Sequence, residues 1–148
     1  MYDSEDEILE HIKQVRRLLT PIANQINFRA LTHDASKLHD PEKPIFDKYT
    51  PLLKETEYMS EEYKQQLSEM SIALSHHYTV NSHHVEHFYN GIKGMTLVDL
   101  IEMLADWKVA ASQYNGHIID SIEKGQERFG YSDELKEILL NTVREYLT

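Results

Sequence analysis

Residues 97–111 read Leu97-Val98-Asp99-Leu100-Ile101-Glu102-Met103-Leu104-Ala105-Asp106-Trp107-Lys108-Val109-Ala110-Ala111, and eleven of these fifteen are apolar. At 100° per residue the apolar side chains surround a helix rather than forming one stripe, so the segment belongs at the centre of a helical domain. Three acids interrupt it. Asp99, Glu102 and Asp106 stand at i, i+3 and i+7 and share one face. A buried carboxylate is costly unless paired or metal-bound. The stripe is therefore either the solvent face of the helix or part of a polar site. Asp99 has a local explanation as the capping-box partner of Thr96. Asp106 has none, which makes it the candidate ligand.

The flanking sequence is helical in both directions. Ser4 with Glu7 forms a capping box, and Ile8, Ile12, Val15, Leu18 and Leu19 follow at helical spacing. Pro21 is expected to kink or restart that helix. A second segment covers about residues 28–38. Asp40-Pro41-Glu42-Lys43-Pro44 reads as a loop, because each Pro disfavours helix in the residue before it. A third helix follows over 45–55. Ser60, with Glu61 and Glu62, caps a helix expected to run to Tyr78. Residues 79–94 are polar and irregular. Thr96 caps the central helix, Asn115-Gly116 ends it, and a further helix runs to Phe129, where Gly130 stops it. Ser132 caps the last helix. No repeat, low-complexity tract or strand-period run is present. The expected architecture is all-α, one compact domain over 1–148 with about six to eight helices.

The chain has 148 residues, 25 acids, 15 Lys and Arg, a formal charge of −10 and no cysteine. Thiolate metal sites are excluded, so any ion must be held by His, Asp or Glu. The acidic balance argues against nucleic acid as a main partner. No apolar run approaches the ~18 residues of a membrane span, and the acidic N-terminus lacks the character of a signal peptide. The reading is cytoplasmic.

Histidine is the outlier: nine residues, with His76, His77, His83, His84 and His87 inside twelve positions. His11 lies between Ile8 and Val15 on the apolar face of the first helix. His77 extends the series Tyr63, Leu67, Met70, Leu74, whereas His76 falls off that face. His33 and Asp34 are adjacent on the second segment. Imidazole and carboxylate together suit borderline divalent ions such as Fe, Mn, Co or Zn. A set drawn from several helices is a recurrent way to build a metal centre in a bundle core.

The order His11 … His33-Asp34 … Asp106 resembles the H…HD…D signature of the HD superfamily of metal-dependent phosphohydrolases. His33-Asp34-Ala35-Ser36-Lys37 is similar to its HD-x-[GS]-K motif, and His77-x3-Asn81-x-His83-His84 lies where several two-metal members place extra histidines. The whole chain resembles a group of small HD-like proteins through these stretches, Glu42, Glu86, residues 99–108 and the late Ser121-Ile122 … Arg128-Phe129. The resemblance implies an HD-like helical fold. It implies a first metal site of His11, His33, Asp34 and Asp106. Asp34 would bridge to a second ion on His77 and one of His83 or His84. One or two divalent ions (Fe, Mn, Co, Zn or Mg) are implied, and a small phosphorylated substrate, a nucleotide among the candidates. Lys37 is either a phosphate contact or a solvated helix end. Glu42 is either a base behind the ligands or a helix N-terminal acid, and Asn81 either orients a ligand or caps a turn. Arg128 meets an anion or, the preferred reading, pairs with a surface acid. Three functions stay open: a phosphohydrolase, with Asp34, Lys37 and Glu42 as its catalytic set; an HD-fold di-iron oxygenase; and a non-catalytic metal or nucleotide binder.

Overall fold

A computed structural model describes residues 3–57, 60–113 and 115–147. Every regular element among them is helical. Backbone contacts divide the chain into two units, Met1–His33 and Asp34–Thr148.

The first unit is one helix, α1 (Glu5–Thr32). Its cap differs from the capping box expected at Ser4: the Ser4 side chain makes no cap bond, and Asp3 Oδ1 instead accepts from Glu5 N at 3.0 Å. Of the kink or restart expected at Pro21, the restart is absent, because Pro21 lies inside an uninterrupted helix. A proline removes one backbone bond, and here the many bonds on either side keep the helix continuous. The second segment expected over 28–38 is therefore the end of α1 followed by a 3-10 turn, Ala35–Leu38. What separates them is Asp34, in the left-handed region with φ 55°.

The second unit contains α2 (Glu42–Glu55), α3 (Glu61–Glu69), α4 (Ser71–Val80), α5 (Leu97–Gln113), α6 (Ile118–Phe129) and α7 (Asp133–Tyr146), with 3-10 turns at Val85–His87 and Gly91–Gly94. Glu42 begins α2 rather than lying in a loop before it, since prolines are tolerated in a first helical turn. Ser60 Oγ accepts from Tyr63 N, and Ser132 Oγ from Leu135 N, the caps that the sequence implies. The helix expected from Ser60 to Tyr78 is broken at Met70, whose side chain is buried while its backbone (φ −82°, ψ 0°) joins α3 to α4.

Helices α5, α6 and α7 enclose a core of Leu104, Ile118, Ile122, Tyr131, Leu139, Leu140 and Val143. Ile122 is fully buried, worth about 1.5–3 kcal/mol against exposure. The Tyr131 hydroxyl donates to the Ile122 carbonyl, so this polar group is satisfied inside the core. Gly130, at φ 66°, ends α6 where a left-handed residue is required. The other half of the unit packs α2 against α4 and the 3-10 turn at Ala35–Leu38, burying Tyr49, Met70 and Ala73.

At the start of α5, Thr96 and Asp99 form the expected capping box. Asp99 Oδ2 accepts from Thr96 N at 2.8 Å, and Asp99 N donates to Thr96 Oγ1 at 3.2 Å. The second Asp99 oxygen accepts from Ser82 Oγ at 2.6 Å. This bond ties the segment before His83 and His84 to α5.

Candidate metal centre

Four side chains of the second unit converge. One ligand atom each from Asp34, His77, His83 and His84 lie within 4.8 Å of one another. They come from the turn after α1, from α4, and from the loop after it. Asp34 Oδ1 is 3.3 Å from His77 Nε2 and 3.4 Å from His83 Nε2. His77 Nε2 is 2.9 Å from His84 Nε2. A left-handed residue costs about 1–2 kcal/mol in the backbone, and Asp is among the few types that adopt it. Here the bend at Asp34 delivers its carboxylate to the histidines.

The imidazoles are held from behind. His77 Nδ1 donates to Glu42 Oε2 at 2.9 Å, and His83 Nδ1 lies 3.2 Å from Glu102 Oε1. A proton kept on Nδ1 by a carboxylate leaves the Nε2 lone pair directed at the cluster, as in many metal-bound histidines. Glu42 is completely buried. It also receives His76 Nδ1 at 2.7 Å and the Ser36 hydroxyl at 3.1 Å. Asn81 donates to Ser36 Oγ and to the His77 carbonyl, both at 2.9 Å, which fixes the end of α4 against the turn that carries Asp34. Asn81 is the C-cap of α4, the capping role among its two readings.

The electrostatics suit a cation. Burial raises the Asp34 carboxyl, but the His77, His83 and Lys37 side chains beside it outweigh that and hold the group well below the usual carboxylate range. Burial, with His83 and His77 beside it, pushes His84 down to about 3, so it is a neutral imidazole with a lone pair to give. Three imidazole nitrogens and one carboxylate form a donor set fit for a borderline divalent ion.

The remaining residues read from sequence are placed as follows. Both His83 and His84 face the cluster, where one was expected. Asp106, half-buried on α5, brings a carboxylate oxygen within 4.8 Å of one from Asp34. Lys37 Nζ is 2.5 Å from Asp34 Oδ2 and lies over the Phe46 ring, so it is engaged rather than a solvated helix end. His39 and His87 are exposed, and His87 Nδ1 meets the Tyr78 carbonyl. Arg128 pairs with Glu86 at 2.6 Å. His33 ends the first unit, and His11 is exposed on α1 beside Ile12, Val15 and Leu19. Periodicity marks an apolar face without saying what covers it.

Glu102 is the residue that the sequence did not single out for the site. Its signal was present: it shares its face with Asp99, which accepts from Ser82, and with Asp106, whose carboxylate comes near Asp34.

The chain belongs to a family of unknown function (DUF5662), whose model matches residues 1–146. No curated protein and no solved structure matches it. Among the described residues, no helix is long and apolar enough to cross a membrane.

Proposed function

We propose that the chain is a metal-dependent phosphohydrolase acting on a small phosphoester, with the Asp34, His77, His83 and His84 cluster as its centre. One observation carries this reading: two imidazoles, each braced by a carboxylate on Nδ1, aim Nε2 at the same Asp34 oxygen. That arrangement repeats the ligand-and-brace pattern of metal centres, and it costs a buried charge that a purely structural cluster does not need. The HD-like order of His11, His33-Asp34 and Asp106 supports phosphoryl chemistry over a structural ion. In this reading Asp34, His77, His83 and His84 would hold the ion, with the Asp106 carboxylate close to Asp34.

A divalent ion at such a centre supplies Lewis acidity and a bound water of lowered pKa. The protein's own groups do the rest. Glu42 and Glu102 keep the imidazoles in one tautomer. Lys37 neutralises the outer oxygen of Asp34 and presents a cation to the negative charge that grows on a phosphoryl group. The neutral His84 donates no competing charge.

The test is turnover of a panel of nucleotides and simple phosphoesters with Mn, Co, Fe, Mg and Zn. Hydrolysis is expected with at least one ion. Asp34→Ala abolishes both metal binding and turnover, whereas Lys37→Ala lowers turnover and leaves the metal bound. A fully loaded protein that hydrolyses nothing contradicts the proposal, as does oxygen uptake on an organic substrate by the iron form.

A further inference from the structure

Next to the histidines lies a cavity of about 600 Å³ between α4, α5 and α6. Its inner wall includes His83 and His84. Met103, Trp107, Ala110 and Phe129 give it an apolar wall, and Lys124, Arg128 and Glu86 are its charged lining residues. The volume falls in the range of small-molecule sites, roughly 300–1,000 Å³. It is far larger than a phosphate group requires.

The apolar wall is built in advance. The Trp107 and Phe129 rings are stacked, 18° between planes with centroids 6.3 Å apart. Gly125 makes this arrangement fit: a Cβ there would stand 2.4 Å from Trp107 Cη2. The indole therefore lies directly on the bare backbone of α6. The Arg128 guanidinium sits 4.9 Å from the centre of the Phe129 ring while its Nη2 bonds Glu86. A planar aromatic face, fixed before any ligand arrives, costs little ordering on binding.

We infer that this cavity takes the aryl or heteroaryl group of a phosphoester whose phosphate faces His83 and His84. The inference rests on the phosphohydrolase reading and adds the class of the leaving or retained group. Three features support it together. His83 and His84 line the cavity, so a phosphate held beside them adjoins it. The Trp107–Phe129 wall matches a flat ring better than a branched chain. Lys124 adds a positive charge to the lining beside the Arg128–Glu86 pair and attracts an anion on its way in.

Trp107 is the only tryptophan of the chain, so its emission reports directly on occupancy. The full-length metal-loaded protein is titrated with phenyl phosphate, methyl phosphate and inorganic phosphate, followed by fluorescence and calorimetry. Phenyl phosphate is expected to change Trp107 emission and to bind about ten- to a hundredfold tighter than methyl phosphate, the factor that one aromatic stack supplies. Ala110→Phe fills the cavity from an exposed position of α5 away from the histidines. It should erase the preference while metal binding stays as in the parent. Equal affinity for phenyl and methyl phosphate, or a preference that survives Ala110→Phe, overturns the inference. The two readings fail separately. Phenyl phosphate binding lost in Ala110→Phe, in a protein that hydrolyses nothing, keeps the cavity and discards the phosphohydrolase. Hydrolysis without an aryl preference does the reverse.

Discussion

Replacing Glu42 by Gln removes one negative charge and almost no volume. Its carboxylate accepts from His77 Nδ1 at 2.9 Å, from His76 Nδ1 at 2.7 Å and from Ser36 Oγ at 3.1 Å, all at a fully buried position. An amide keeps one acceptor oxygen and turns an N–H₂ toward the other side. One imidazole therefore loses its acceptor. If the amide oxygen stays with His77, the His76 side chain, 39% exposed, can turn to water. His77 then keeps a bond but loses the charge that makes Nε2 a stronger donor. If the amide reverses, His77 is left facing an N–H and must change tautomer. Both arrangements weaken the ligand. Removing such a carboxylate partner typically costs about 10–100-fold in metal affinity, which is roughly 1.4–2.7 kcal/mol. The metal-free protein should lose about 1.5–3 kcal/mol, the worth of one hydrogen bond to a charged group. Chelator competition for Zn or Mn measures the first quantity, and urea unfolding of the metal-free protein the second. A folded Glu42→Gln protein that binds metal as tightly as the parent refutes the role assigned to Glu42.

Four further outcomes follow from the same geometry. Glu102→Gln should also weaken metal binding, by less than Glu42→Gln, because Glu102 braces one imidazole and is partly solvated; the same chelator assay ranks the two. Metal removal should lower the thermal midpoint, and affinity should fall as pH drops and protons compete for the imidazoles, which calorimetry at stepped pH reads. Burial raises the Glu42 carboxyl, but its bonds from His76, Ser36 and His77 prevail and hold it below the ordinary value. Its contribution is thus fully present above the ordinary glutamate range and is lost as pH falls through the folded value; acid unfolding of the metal-free protein should be shallower for Glu42→Gln than for the parent. Ile122→Ala, in the core of α5, α6 and α7, should cost about 2–5 kcal/mol in urea unfolding without changing metal affinity.

Local chemistry carried most of the helix boundaries. Ser60, Thr96 and Ser132 act as caps, and Gly130 as a stop, because each depends only on the few residues around it. The all-round apolar character of residues 97–111 placed α5 at the centre for the same reason, and Met103 and Leu104 are indeed buried. The break at Met70 was not legible, since it follows from burying that side chain between helices distant in sequence. At Pro21 the sequence left kink and restart both open, because proline cost alone does not weigh the helix on both sides.

The site divides in the same way. His77 was legible from helical phase, and Asp34, His83 and His84 from the order of motifs. Glu102 was hidden, because a carboxylate on a shared polar stripe looks the same whether it faces water or an imidazole. The cavity by Trp107 and Phe129 had no pattern at all. Its walls come from α4, α5 and α6, and Gly125 gains meaning only when Trp107 lies on it.

The central claim is that Asp34, His77, His83 and His84 hold a divalent ion. Anomalous diffraction at the absorption edge of the added metal, from crystals of untagged protein, tests it most directly. The expected result is a peak at about 2.0–2.3 Å from Asp34 Oδ1 and from at least two of the three imidazole nitrogens. Well-ordered histidines at saturating metal with no peak among them, or a peak only at surface residues elsewhere, would contradict the account.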